Sequence, residues 1–252
     1  MTGKEIIGYV NDGANYYVSL FGKAKHMNCV ERDYYSYIFP KENEKGISFV
    51  YDVKIDGLND REKIDIIEEI KLLKMPVWWN LKTVKDLYKI LYGNEKTIGT
   101  IDDEELYMAI LPDDKICKSE LSNVSIKKVD NQESFRLWAN HVNDILSNGY
   151  PDMHPEFHYN LCRDKLMDCY LCFNNNILVS TATIMNNCGI ASLEFVATKP
   201  EYRKNGFAKH ICIYAISESF KEEVKIITLR AVNYEAKELY KKLGFKIYNQ
   251  MI

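Results

Sequence analysis

The sequence has little net charge, no long apolar run and no paired cysteine framework, and each lack removes a class of function. Its 33 Lys plus Arg against 36 Asp plus Glu leave a net charge of -3. That field is too weak to draw the whole molecule to nucleic acid or to an anionic membrane surface, so neither is expected as a partner. No apolar run reaches the roughly 18 residues of a spanning helix. Met1 and Thr2 lead straight into Gly3, Lys4 and Glu5 without the apolar core of a leader, so a soluble, cytoplasmic protein is expected. The seven cysteines (29, 117, 162, 169, 172, 188, 212) are odd in number and lie mostly inside apolar runs, which suits reduced thiols rather than disulfides. Cys169-x-x-Cys172, with Cys162, Cys188, His154 and His158 near it in the chain, finds no second such pair. Residues three apart on a strand point to opposite faces, so no metal site is expected.

What is present reads as a mixed α+β chain, with 46% hydrophobic residues for a core. From Ser122 onward the order is legible. A strand at 124–129 precedes a helix carrying Phe135, Trp138, Ala139, Val142, Ile145 and Leu146 on one face. Asn148, Gly149, Tyr150 and Pro151 break that helix, and residues 155–165 suit a short second one. Strands follow at 169–173, 177–185 and 190–198, joined by turns at Asn174, Asn175 and Asn176 and at 186–189, which implies three antiparallel neighbours. After Pro200 come a long helix to about Phe220, a buried strand at 224–230, a helix at 235–243 stopped by Gly244, and a last strand at 245–250.

The first half is less regular. It holds a helix near 61–74 with Ile64, Ile67, Ile70 and Leu73 in a row, then an apolar strand at 76–80. Residues 84–91 echo residues 236–243, and each copy follows a helix and a short strand, so two copies of one α+β unit are a candidate arrangement. The polar stretch 113–122 is the natural boundary, giving units at 1–117 and 118–252. Trp78 and Trp79, like Tyr34, Tyr35 and Tyr37, fit either a core or an aromatic acceptor pocket.

The segment with the clearest chemistry is Thr198-Lys199-Pro200-Glu201-Tyr202-Arg203-Lys204-Asn205-Gly206-Phe207-Ala208: strand end, turn, helix start. Gly206 and Ala208 let backbone N–H groups approach an anion closely, and the helix start adds partial positive charge. Arg203, Lys204 and Lys209 offer full charges to phosphate oxygens. Chemistry alone therefore says phosphate, or a solvated turn.

This segment resembles motif A of the GNAT superfamily of acyltransferases, in which an R-x-x-G-x-G/A loop binds coenzyme A. Asn233, Ala236, Leu239, Tyr240, Gly244 and Phe245 resemble its motif B, N-x-x-A-x-x-L-Y-x-x-x-G-F, about 30 residues further on. The resemblance covers about residues 122–252. It implies a three-layer fold around a mixed, mainly antiparallel sheet, and an N-acetyltransferase with acetyl-CoA as co-substrate. A primary amine of a small molecule or peptide would attack directly in a ternary complex. The loop departs from the commonest form at Lys204-Asn205 and Ala208, which leaves the backbone donors intact. The chain also stops about seven residues after Phe245, one strand short of the usual fold. Another segment is expected to fill that place beside 245–250, with 105–111 the best candidate. The first half resembles a decayed second copy: 46–53 stands where the strand before the loop belongs, but Asp56 and Asp60 follow where a phosphate loop would be, so no second cofactor site is expected.

The resemblance also assigns roles. A lysine-like amine, pKa about 10.4, is almost wholly protonated at neutral pH, a shortfall of roughly 4 to 5 kcal/mol. Glu194 is the expected base, acting directly or through water, with Glu156 and His158 as substitutes. Tyr240 is the expected acid for the leaving thiolate. Main-chain groups of Phe195, Val196 and Thr198, with Asn233, are expected to hold the pantetheine arm. Holding both reactants together contributes up to about 7 to 11 kcal/mol. The rival reading is a catalytically silent acyl-CoA sensor or scaffold, which needs neither Glu194 nor Tyr240 at the sulfur. The expected state is monomer or homodimer.

Overall fold

The computed structural model describes residues 1–44, 46–77, 106–116, 121–146, 158–231 and 233–248. The echo at 84–91, Trp78, Trp79, Glu156 and the turn at 148–151 lie outside them. Among the described residues ten strands form two sheets. Strands β1 (Met27–Glu31), β2 (Ser36–Pro40) and β3 (Phe49–Tyr51) make an antiparallel sheet of three. The larger sheet runs β10-β4-β9-β8-β7-β6-β5, where β4 is Leu106–Ile110, β5 Val124–Lys128, β6 Met167–Asn174, β7 Ile177–Asn187, β8 Ile190–Thr198, β9 Ile226–Ala231 and β10 Lys246–Ile247. All its pairings are antiparallel except β8 with β9.

Turn chemistry sets the hairpins. Asn175 and Asn176 both take positive φ (48° and 66°) between β6 and β7, and Cys188 and Gly189 do the same (49° and 85°) between β7 and β8. Two consecutive positive φ values match the right-handed twist of the flanking strands, which is why Asn and Gly are used there.

Helices cover both faces. On one lie α1 (Gly3–Gly22) and α3 (Gln132–Leu146), whose Val18, Phe21, Phe135, Trp138 and Val142 join Met167, Cys169 and Leu171 in one apolar cluster. On the other lie α5 (Phe207–Lys221) and α6 (Tyr234–Leu243), with Ile211, Cys212, Ile216 and Leu243 packed on Met108, Ile184, Ile227 and Leu229. Each such fully buried aliphatic contributes about 1.5–3 kcal/mol. Helix α4 (His158–Arg163) is one short turn and a half beside β6. The expected three-layer arrangement is therefore present.

The vacancy expected at the sheet edge is filled. Strand β4 pairs with β10 through Ala109 and Met108, and the Tyr248 N–H donates to the Tyr107 carbonyl at 2.9 Å. Its other edge pairs with β9 from Leu106↔Ala231 to Ile110↔Ile227. Residues from both sides of 117/118 thus build one sheet, and α1 lies across it.

In the first half, α2 (Asp60–Leu72) starts at a capping box between Asn59 and Glu62. It packs Ile66, Ile67 and Ile70 against Val50, Val53 and Ile55. Ile64, expected on the buried stripe, is turned outward, and Ile66 takes that place.

Candidate functional site

The parallel pairing of β8 with β9 is short: Ile190↔Ile226, Ala191↔Ile227 and Ser192↔Thr228, and no further. Beyond Ser192 and Thr228 the two strands part, leaving one edge of each open as a V. Two features, one in β8 and one beside it, accompany this. The pairing of β8 with β7 slips between Thr183↔Glu194 and Thr181↔Ala197, so β8 carries one residue more than its partner over that step. That is a bulge, and it is marked by Phe195 at φ 50°. The bulge corrects one expectation: strand alternation would set Glu194 on one face with Val196 and Thr198. Instead Val196 joins Leu193 against the α5 face, while Phe195 turns to the α1–α3 face among Tyr17, Phe21 and Trp138.

The second feature is α1. A Cβ at Gly13 would stand 3.1 Å from Thr228 Oγ1 and 3.6 Å from Ser192 Cβ, so the helix backbone lies directly on the vertex. Sequence reading took the first half as structural or substrate-shaping but did not foresee α1; the Thr2–Glu5 capping box that starts it was the available signal.

The expected cradle is present at the end of β8. After Thr198, Pro200–Tyr202 form one 3-10 turn, Lys204 takes φ 63°, and Gly206 (φ 84°) is the N-cap of α5 with no side-chain cap. The N–H groups of Phe207, Ala208 and Lys209 therefore point out of the helix, at its positive end. A Cβ at Gly206 would meet only Leu121, at 3.9 Å, so glycine is needed here for its backbone angle and the space in front is open. Arg203 Nε donates to the Thr198 carbonyl at 3.2 Å, and Asn205 Nδ2 donates to the carbonyls of Tyr202 and Arg203, so the loop is tied to itself. Phe207 anchors it, ring edge on Tyr202, while Arg203, Lys204 and Asn205 are exposed. Open N–H donors, basic side chains and a splayed strand edge together fit a phosphate-bearing co-substrate with an amide-rich arm.

The remaining expected residues stand as follows. Glu194 lies on β8 just past the vertex, half-buried. Tyr240 lies on α6, 8% exposed, its ring edge-on to Phe245. Burial above all, then the neighbouring Cys212 and Glu194, hold its phenol well above the usual value, so it is neutral at pH 7 and close enough to feel the charge of Glu194. Asn233 is the N-cap of α6, its Oδ1 accepting from the Ala236 N–H at 2.8 Å. The Phe195 carbonyl accepts from Thr181 Oγ1 and the Thr198 carbonyl from Arg203 Nε, so part of that main-chain set is already engaged. His158 is buried with its ring 4.6 Å from that of Phe21. His141 went unnoticed in the sequence: its Nε2–H donates to the Ala197 carbonyl at 3.2 Å and braces β8 behind the bulge.

A strand that splays from its parallel neighbour, a bulge, and a helix start opening on the gap are the arrangement at this end of the sheet. Residues 135–245 match the model of the acetyltransferase (GNAT) family. That family consists of acyltransferases with acetyl-CoA as co-substrate, and acetyl-CoA-dependent acetyl transfer is its general activity. The chain is similar to a GCN5-related N-acetyltransferase from Kribbella flavida, with TM-score 0.65 and 14% identity over 95% of this chain and 92% of that one. A second, from Sphaerobacter thermophilus, gives 0.60 and 13% over 88% and 72%. A GCN5-related N-acetyltransferase-like protein from Streptococcus suis 89/1591 gives 0.53 and 13% over 98% and 96%. At such identities the likeness establishes the fold. A comparison with curated proteins found no match. Among the described residues no helix is long and apolar enough to cross a membrane.

Proposed function

We propose that this chain moves the acetyl group of acetyl-CoA to a primary amine of a small molecule or peptide, by direct attack in a ternary complex. Glu194 takes the proton of the amine, directly or through one water. The amine nitrogen bonds to the thioester carbon, the carbon–sulfur bond breaks, and Tyr240 protonates the departing sulfur. The pyrophosphate is held by the N–H groups of Phe207, Ala208 and Lys209 beside Gly206, with Arg203, Lys204, Asn205 and Lys209 around it. The arm runs along Phe195, Val196 and Thr198, with Asn233 on its far side. The observation that carries this is the parting of β8 from β9 beyond Ser192 and Thr228 beside the bare helix start at Gly206, with Tyr240, whose phenol is raised by burial, then by Cys212 and Glu194, on the helix that follows β9.

Residues 1–117 are read as a degenerate copy without a cofactor site and 118–252 as the catalytic unit. In support, Val77 bridges Val50 in parallel after α2, as β9 follows β8 after α5. The cysteine pattern favours a reducing, cytoplasmic setting, and the molecule acts as a monomer or homodimer.

The test is thiol release from acetyl-CoA across a panel of primary amines. Tyr240→Phe should lower kcat by about 10²-fold with the KM for acetyl-CoA little changed, as for loss of a general acid. Because the phenol is raised above its ordinary value of about 10, the wild-type rate should not fall on the alkaline side below about pH 10 through this group. Glu194→Gln should lower kcat at neutral pH and recover part of it as pH rises and the amine loses its own proton. Full activity in both variants would contradict the assignment.

A further inference from the structure

We infer that Cys162 and Cys169 form a modification site, two thiols that a peroxide-class oxidant joins into a disulfide tying α4 to β6. The sequence sets Cys169 beside Cys172 in a C-x-x-C spacing, but those two side chains go to opposite faces of the sheet. Cys169 joins Met167, Leu171 and Trp138 on the α1–α3 side, and Cys172 joins Val179, Ile211 and Cys212 on the α5 side. The sulfur that Cys169 meets is that of Cys162, at 3.5 Å, and both thiols are free at rest.

The local fold brings the pair together. Helix α4 is followed by a left-handed residue, Lys165 at φ 57°, whose N–H donates to the Cys162 carbonyl at 3.1 Å, while the Leu166 N–H donates to the Leu161 carbonyl at 2.9 Å. These two bonds make a Schellman turn, which lays Cys162 against the strand that begins at Met167. The Leu166 carbonyl accepts from the Asn186 N–H at 2.9 Å, so the turn is fastened to β7 as well. Cys169 is buried opposite Thr183 of β7, whose hydroxyl donates to its sulfur at 3.8 Å. Cys162 is only half-buried. One thiol thus reaches solvent and the other is held behind it.

That order dictates the chemistry. The Cys162 sulfur bonds to one oxygen of the peroxide, the oxygen–oxygen bond breaks, and the other oxygen leaves as water with the thiol proton. Cys169 then attacks the Cys162 sulfur, the sulfur–oxygen bond breaks, and that oxygen leaves as a second water with the Cys169 proton. Two thiols are oxidised to one disulfide and one peroxide is reduced to two waters. Burial above all, then Cys162, holds the Cys169 thiol well above its usual value, so Cys169 is a poor first target and acts on a sulfur already in contact with it. A disulfide bond is about 2.05 Å long, so the sulfurs close by roughly 1.5 Å, which the half-buried Cys162 supplies from the last turn of a short helix.

The experiment treats the folded wild-type protein with hydrogen peroxide, alkylates the remaining thiols, digests with trypsin without reductant and reads peptide masses. Arg163 and Lys165 are cleavage sites between the two cysteines, so only a disulfide keeps them in one species. That species should appear, short of two hydrogen atoms, and vanish with dithiothreitol. The oxidised protein should melt roughly 5 °C above the reduced one, as for a short cross-link that fits the native geometry. In Cys162→Ser, placed at the more exposed of the two positions so that the fold is kept, the rise should be absent and Cys169 should be recovered as a free thiol. Cys162 found as sulfinic acid with no link to Cys169, a link that forms only in denaturant, or a melting temperature unchanged by the link would overturn the inference.

Discussion

Phe195 holds a left-handed backbone angle that costs a residue with a Cβ about 1–2 kcal/mol. Its ring among Tyr17, Phe21 and Trp138 offsets that cost, and what results is the slip that separates Glu194 from Val196 onto different faces. Glycine at the C-cap of α6 answers a stricter demand. Gly244 has φ 106°, and a Cβ there would lie 2.7 Å from the Lys115 carbonyl oxygen. Gly57, at φ 95°, has nothing within 4 Å of that position. Gly57→Ala should therefore cost only the backbone term, about 1 kcal/mol, and Gly244→Ala at least about 1 kcal/mol more. Denaturant titration of both variants measures the difference. Equal losses would mean that the carbonyl of Lys115 yields freely.

At the scale of elements, the second half was legible because its signals are local. Alternating apolar residues, Asn and Gly turns and the Gly244 stop each act within a few positions, and β5 to β9, α3, α5 and α6 follow them closely. Strand β4 was foreseen from the resemblance, because the fold it implies carries one more strand than the residues after Phe245 supply, and 105–111 had the best pattern for that place. The unforeseen parts depend on distant contacts. Helix α1 contains Gly3, Gly8, Gly13 and Gly22 with several β-branched and aromatic residues, poor helix formers that hold their shape because the helix lies on the sheet. The bulge at Phe195 likewise follows from where β8 leaves β9, which no local pattern encodes. If β4 belongs to the same cooperative unit as β9, Met108→Ala, at a wholly buried position, should destabilise the protein by about 2–5 kcal/mol in a single transition. Leu72→Ala, on an 80% exposed residue, should stay within about 0.5 kcal/mol. An early, separate transition for Met108→Ala would mean that β4 adds little to the main sheet.

The whole molecule joins an amino-terminal part and a carboxy-terminal part through one opening. The carboxy-terminal part supplies the splayed strands, the cradle and Tyr240, and the amino-terminal part supplies β4 and, over the vertex, α1. This division of labour makes the cradle at Gly206 the feature on which everything else rests. Calorimetric titration with acetyl-CoA, on the wild-type protein and on Gly206→Glu, tests it most directly. A side chain at φ 84° with a negative charge before the N–H groups of Phe207, Ala208 and Lys209 should block a pyrophosphate. Saturable binding by the wild type, and none by a variant whose circular dichroism is unchanged, is the result the account requires. A folded wild type that takes up no acetyl-CoA, or a variant that binds it as tightly, would contradict it.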